Sequence, residues 1–240
     1  MTTDRFYREW TNTSDLASFV VSIKETDLQI RASRDLTAEA TAAVVRLRRQ
    51  LESYIAVVPA FLTSFSPLPP DPNAPLIVRS MLDAGIEYSV GPMAAVAGAF
   101  AQEVGRELLN FSSDVIVENG GDIFLMMSRP VRLALYAGEH SPFTKRIVLQ
   151  LDCAGSPRGV CTSSATVGPS ISFGRADAVV TIADSAPLAD AAASGVANQI
   201  HTPADLAPVL EAEQRRGRLL GCLATIGHHL GAYGSIQIVA

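Results

Sequence analysis

Residues 179–198 read VVTIADSAPLADAAASGVAN, and this stretch limits the possible folds more than any other. The run DAVVTIA is short, apolar and rich in β-branched residues, which predicts a buried strand. A helix is predicted directly after it, with Ser185 as candidate N-cap, Pro187 in the first turn, and Ala and Leu following. Asp190 and Ser194 stand four residues apart, so their oxygens leave the same face of that helix. A face of Ala and Gly with one carboxylate and one hydroxyl permits close approach by a backbone, a metal or a phosphate. The expectation is that the small residues let a metal or phosphate sit near Asp190.

The other patterns predict strands in meanders interrupted by single helices. FVVSIKETDLQIRA (19–32) reads as two strands joined near Glu25–Asp27. Val44, Leu47, Leu51, Tyr54, Ile55 and Val58 recur at helical spacing, with Asp35 or Thr37 as cap. SFSPLPPDPNAP (64–75) is a loop, because proline lacks an amide hydrogen and constrains its predecessor. LIVRSMLDAGIEYS and MAAVAGAFAQEVGRELL (93–109) predict two further helices. In the second, Met93, Val96, Phe100, Val104 and Leu108 mark one face, and Ala94, Ala95, Gly98 and Ala99 allow close packing. SDVIVENGGDIFLMM predicts a hairpin whose Asn119–Gly120 supplies the positive-φ residues. VRLALYA and RIVLQL predict two antiparallel strands, Cys153 to Gly174 a long loop, and RLLGCLATIGHHLGAYGSIQIVA a final hairpin. This order fits an α+β protein better than a parallel doubly wound sheet. The chain reads as one domain over 1–240, or as two fused α+β halves in which strand–strand–helix–helix occurs twice.

Composition removes several function classes. No apolar run approaches bilayer length, and the start MTTDRFYREWTNT has no signal-peptide core, so a cytoplasmic protein without membrane association is expected. The net charge of −5, with signs interspersed, argues against nucleic-acid binding, and RLRRQ (46–50) and EQRRGR (213–218) read as solvated faces. Three cysteines without C-x-x-C spacing exclude a disulfide framework and a zinc site. His228 and His229 are adjacent and on a strand would face opposite sides, which excludes a shared metal.

Four stretches carry candidate chemistry: GPMAAVAGAF (91–100), VENGGDIFL (117–125), GVCTSSATVGPSISFG (159–174) and ADAAASGVAN (189–198). Thr162, Ser163, Ser164 and Thr166, with two nearby glycines, suit the wrapping of phosphate by hydroxyls and amides. A helix start at Gly91 adds further amides. Asp190 with Ser194 can hold Mg²⁺ and leave positions open for phosphate oxygens. Cys161 precedes this loop, where helix amides or Mg²⁺ would lower its pKa; its alternative is a buried small hydrophobe.

In order, GPMAAVAG, ENGGDI, CTSSAT and ADAAAS resemble motifs of the ApbE-like superfamily, whose best-known members are FAD:protein FMN transferases. The similarity runs from about residue 85 to 200 and is strongest to a short ApbE-like branch reading GPMAAVAGA, ENGGDI and TSSGTVG. The resemblance implies an α+β fold of the T-fold type and a site for FAD with Mg²⁺. It places Gly91, Asn119, Gly120, Gly121, Asp122, Thr162, Ser163, Ser164 and Thr166 at the cofactor. It places Asp190, Ser194 and the Ala94 carbonyl at the metal. A transferase or pyrophosphatase acting on flavin nucleotides, dependent on Mg²⁺, is the implied enzyme, with a protein acceptor as implied partner.

Two departures weigh against transfer by that mechanism. Ala95 stands where the motif has lysine, and TVGPSISFGRA contains no counterpart of the H-x-x-D-P histidine. The resemblance therefore leaves two alternatives: a non-catalytic flavin- or nucleotide-binding protein, or an accessory of sulfide assimilation and homocysteine formation. The latter is linked with the short branch, and Cys161 would be its sulfur-handling candidate. The Ala- and Gly-rich helices suit a homodimer interface as readily as the interior of one chain.

Overall fold

The computed structural model describes residues 13, 15–134, 142–143, 147–153, 155–164, 172–234 and 236–239. Two strands, β1 (Ala17–Ile23) and β2 (Thr26–Ala32), come first, joined by a tight turn in which Lys24 takes φ 53°. Helix α1 (Thr37–Val57) buries Ala40, Ala43, Val44, Leu47 and Leu51. Asp35 Oδ1 accepts the Thr37 amide at 2.8 Å, so Asp35 serves the free amides at the helix start. A short α2 (Ala60–Thr63) leads into the proline-rich loop, which ends where α3 (Leu76–Tyr88) begins.

The segment expected as one helix over 93–109 is two pieces. A 3-10 turn spans Pro92–Ala95, and α4 runs from Val96 to Leu108. Pro92 fixes the entry of the turn, and Ala95 precedes α4 in a non-helical conformation with φ −116° and ψ 7°. Met93 thus belongs to the turn and not to the α4 face.

Strands β3 (Val115–Asn119) and β4 (Asp122–Met126) form the predicted hairpin. Its positive-φ residues are Gly120 (68°) and Gly121 (108°), one position later than expected, because Asn119 is paired with Asp122. Strands β5 (Val131–Ala134) and β6 (Val148–Leu151) pair antiparallel as predicted. The stretch expected as a loop from Cys153 to Gly174 contains strand β7 (Arg158–Ser163), hydrogen-bonded between β4 and β8 (Ala178–Ala183). Helix α5 (Ala186–Ala197) follows, then a 3-10 turn at Pro203–Asp205 and α6 (Leu206–Arg216). The chain closes with β9 (Gly221–Ile226), β10 (His229–Gly234) and β11 (Gln237–Val239). His228 lies in the turn before β10, so the two histidines do not share a strand.

Eight strands form one antiparallel sheet in the order β1-β2-β3-β4-β7-β8-β9-β10, and β11-β6-β5 form a second. Alternate residues divide the large sheet between two cores. Val117, Phe124, Cys161, Val179 and Ala224 face the helices. Ile116, Leu125, Val160, Val180 and Leu223 face the small sheet. The molecule is therefore three layers deep, with helices on one face of a central sheet and a second sheet on the other. Helix α4 packs on β3 and β4, α5 packs on β7 and β8, and the two helices also pack on each other.

Close approach at the centre depends on two glycines. A Cβ on Gly98 would stand 2.5 Å from the Ala186 carbonyl oxygen and 2.9 Å from the Asp190 Cβ. A Cβ on Gly159 would strike the Ala186 backbone, so β7 passes directly beneath the start of α5. Ala189, Ala191, Ala192 and Ala193 are wholly buried and Gly195 abuts Tyr88. Packing against sheet and helices is thus sufficient reason for the small residues around Asp190, which is the first of the three readings the sequence allows, close approach of a backbone.

Candidate functional site

Helix α4 begins with a residue, Ala95, whose side chain cannot cap it. Asp190 of α5 supplies the missing acceptor: its Oδ2 takes the Gly98 amide at 2.8 Å, and the Ala97 amide also bonds to this carboxyl. A carboxylate at a helix N-terminus is favourable, since the free amides and the helix dipole present positive charge there. The start of α5 is served in return by α4, where buried Gln102 Oε1 accepts the Ala186 amide at 2.9 Å. Inside the same helix, Thr181 Oγ1 of β8 donates to the Ala189 carbonyl at 2.6 Å. Asp190 is therefore held by a rigid frame.

The β3–β4 hairpin meets this frame from the sheet. Asn119 Nδ2 donates to the Ala97 carbonyl at 3.2 Å, and the Gly121 amide donates to Glu118 Oε1 at 2.7 Å. Asp122 is buried and its Oδ1 accepts the Thr162 amide of β7 at 3.2 Å. Burial pushes the Asp122 carboxyl up to about 7; the Thr162 amide and the Cys161 thiol draw it back in part, and Glu118 adds repulsion. Burial, with the neighbouring Asp122 charge, likewise raises Asp190 well above the usual carboxylate range, against the pull of the Gly98 and Ala97 amides. Among the described residues, no lysine or arginine acts on either carboxyl. Burial raises both carboxyls, the Asp122 charge adds to the rise at Asp190, and the pair can release protons to an incoming cation.

Cys161 lies wholly buried against this pair, its Sγ 3.4 Å from the Ala186 carbonyl oxygen. Burial and the negative charges of Asp122 and Asp190 push its thiol well up. That is the reverse of a lowered pKa and agrees with the other reading of the sequence, a buried small hydrophobe: the helix amides are taken by Asp190, and the charges facing the sulfur are carboxylates.

The remaining sequence candidates fall around the same end of the sheet. Thr162 is half-buried on β7, Ser163 is buried at its end, and Ser164 is buried just beyond it. Two of these three phosphate-loop candidates thus stand on a strand, and Thr166 lies outside the described residues. Ala94 sits in the 3-10 turn, which packs on α5, and Ser194 is half-buried one turn beyond Asp190. Gly91 is buried before that turn, where a Cβ would strike the Ser64 carbonyl. Gly120 and Gly121 stand at the hairpin tip, with nothing within 4 Å of an added Cβ. Geometry brings Asn119, Asp122, Cys161, Thr162 and Asp190 into one bonded or electrostatically linked group; Ser194 and Ala94 adjoin it through α5.

Glu118 and Gln102 were not selected from sequence. A glutamate within an otherwise apolar strand, VIVEN, was the available signal for Glu118. Gln102 had none, because its partner is 84 residues away.

The donor set fits a hard cation better than a soft one. Among the described residues, no group of three or more His, Cys, Asp or Glu side chains is arranged to hold a metal. A cation here would take carboxylate oxygens together with hydroxyl, carbonyl or water oxygens, which is the kind of shell Mg²⁺ accepts. No helix among the described residues is long and apolar enough to cross a membrane.

Comparison with known proteins agrees with this architecture. The family model described as AbpE bacteria matches residues 8–214. A UPF0280 protein of Methanococcus maripaludis is 39% identical over 221 residues, covering 90% of each chain. One from Methanothermobacter thermautotrophicus is 43% identical over 195 residues, or 79% of this chain and 75% of that protein. Among solved structures, the apo form of the flavinyl transferase ApbE from Pseudomonas stutzeri matches with a TM-score of 0.62 at 15% identity, covering 91% of this chain and 93% of that one. The ApbE protein of Thermotoga maritima gives 0.56 at 12% identity, with 92% and 97% covered. Likeness at these identities is likeness of fold, and it confirms the α+β, ApbE-like architecture. The matched stretch of the family model runs through every site element from the β3–β4 hairpin to α5, and the chain belongs to the AbpE bacteria family of ApbE-like proteins.

Proposed function

We propose that this protein binds FAD or a closely related nucleotide together with Mg²⁺ at the end of the sheet where Asp122 and Asp190 meet. The observation that carries the reading is the buried carboxyl pair, without a basic partner among the described residues, set in the fold of a flavinyl transferase. Asp190, Ser194 and the Ala94 carbonyl would hold the ion, with Asp122 beside them. Mg²⁺, when bound, offsets charge on phosphate oxygens. Asn119, the Gly120–Gly121 turn, Thr162, Ser163 and Ser164 would border the nucleotide, and Gly91 would help shape the approach from the 3-10 turn.

Flavin transfer is the weaker part of the reading. Ala95 is wholly buried and brings no cation to the phosphates, and the family histidine has no counterpart in the sequence. Cys161 offers no replacement nucleophile, because its thiol is buried and held protonated by the adjacent carboxyls. A role in binding or presenting the nucleotide therefore stands ahead of turnover, and ahead of sulfide chemistry at Cys161.

Calorimetric titration with FAD, with and without Mg²⁺, tests this on the wild type and on Asp190→Ala. Binding that requires Mg²⁺ and disappears in the variant is expected, with proton release on Mg²⁺ binding because both carboxyls must ionise. Chromatography of the reaction mixture for FMN and AMP then separates a binding protein from a transferase or pyrophosphatase. Equal FAD binding with and without Mg²⁺, or in wild type and variant alike, would overturn the assignment.

A further inference from the structure

Helix α6 lies over β9 and β10, and at its C-terminal turn it meets the end of α3. Three oxygens are buried there without a hydrogen-bond partner among the described residues: Tyr88 Oη of α3, Glu213 Oε2 of α6 and Tyr233 Oη of β10. Each comes from a different element, and Tyr88 and Glu213 are both only 4% exposed. A hydroxyl or carboxylate taken out of water without a bond destabilises the fold, so such groups in native proteins are met by protein or by ordered water.

The three groups act on one another. Burial raises the Tyr88 phenol, Glu213 and Tyr233 add to the rise, and Arg216 opposes it. Burial also raises Tyr233, with Cys222 and Glu213 adding and Arg216 opposing. Glu213 is raised by burial, Arg216 and Tyr88 draw it back in part, and Glu87 adds to the rise. The groups thus stand close enough to interact, yet no hydrogen bond closes between any two of them. Charge decides what can join them. Arg216 Nε stands 3.7 Å from Glu213 Oε1, and the guanidinium lies over the Tyr88 ring, 4.9 Å from its centroid. A cation would be repelled by Arg216 and an anion by Glu213, so the guest is neutral and must both accept and donate. We propose that Tyr88, Glu213 and Tyr233 hold a buried water molecule, which accepts a hydrogen bond from each phenol and donates one to Glu213 Oε2.

Water suits this set because it offers two lone pairs and two hydrogens, and a buried water commonly makes about three bonds. The bridge ties α3, α6 and β10 together through their side chains. Its effect reaches α5, since Gly195 packs on Tyr88: an added Cβ there would stand 2.8 Å from the Tyr88 carbonyl oxygen and 3.1 Å from the Tyr88 Cβ. Tyr88, Glu213 and Tyr233 take no part in the nucleotide reading, so the two stand or fall separately.

The sign of a conservative substitution tests the water. Removing an unpartnered buried hydroxyl leaves stability unchanged or raises it, whereas removing a bridging one lowers it. Tyr88→Phe and Tyr233→Phe should each lower the folding equilibrium constant by about fivefold in chemical denaturation. Both phenols bond the same water, so the double variant should lose less than the product of the two single effects. Crystallography of the wild type at high resolution gives a second reading, in which one ordered solvent peak lies within about 3 Å of all three oxygens. A phenylalanine variant as stable as the wild type, effects that multiply in the double variant, or no peak shared by the three oxygens would overturn the proposal. A wild type stabilised by potassium or ammonium but not by sodium would overturn it as well, since that result reads a bound cation.

Discussion

Replacing Asp122 by asparagine should make the cation-free protein more stable above neutral pH. The carboxyl moves from its ordinary 3.8 to about 7 on folding, mainly through burial. The folded chain therefore holds a proton that the unfolded chain has released, and stability from this group declines as pH rises from about 4 to about 7. At about 1.4 kcal/mol for each tenfold change in proton affinity, the loss at pH 8 is roughly 4 kcal/mol. Asparagine keeps the Oδ1 that accepts the Thr162 amide and carries no charge to desolvate. Guanidinium unfolding of wild type and Asp122→Asn in EDTA, at several values from pH 4.5 to 8.5, reads the effect together with the relief of Asp190 and Cys161, which the Asp122 charge raises. The variant's advantage should be small at the acid end, grow through neutrality and level off near 4 kcal/mol. In a chain of this size that is a rise in melting temperature of roughly 8–16 °C. Saturating Mg²⁺ should narrow the gap if the ion binds only the folded wild type. A variant less stable than wild type at pH 8, or an advantage that shrinks as pH rises, would refute the reasoning.

Three further outcomes follow from the packing around Asp190. Gly98→Ala forces a Cβ to 2.5 Å from the Ala186 carbonyl oxygen, so α4 and α5 must separate; calorimetry should show a loss of about 1–3 kcal/mol and weaker capping of α4. Gln102→Leu leaves the buried Ala186 amide without its acceptor and should cost about 1–3 kcal/mol in chemical denaturation. Cys161 should resist maleimide in the native protein at pH 8 and react once unfolded, and rapid native labelling at this site, located by peptide mass, would contradict its burial and raised pKa.

Much of the fold was legible because single segments carried strong local signals. The β-branched run of β8, the Asn-Gly-Gly turn of the β3–β4 hairpin, placed to within one residue, and the helical spacing of α1 each needed only their own residues. Strand β7 was misread for a physical reason: Gly159 and Cys161 must be small because α5 lies directly on them, and small and hydroxylated residues in sequence look like a loop. Helix α6 gave little signal, since only Leu206, Leu210 and the glutamate Glu213 are buried on its inner face. Within the site, Asp190 was conspicuous as one carboxylate among alanines. Its bond to Gly98, the influence of Asp122 on it and the return cap from Gln102 depend on contacts between distant segments, which one sequence cannot display.

The two reciprocal caps have a consequence for how the protein comes to be made. Each spans more than a third of the chain, 92 residues for Asp190 to Gly98 and 84 for Ala186 to Gln102. A nascent chain that has emerged only as far as β4 owns the start of α4 but not its carboxylate, and the acceptor for α5 but not the amide. Neither helix can settle its first turn until the other has arrived. The site at Asp122 and Asp190 therefore exists only once α5 has been made, and a ligand that recognises it would distinguish such chains from those that end earlier.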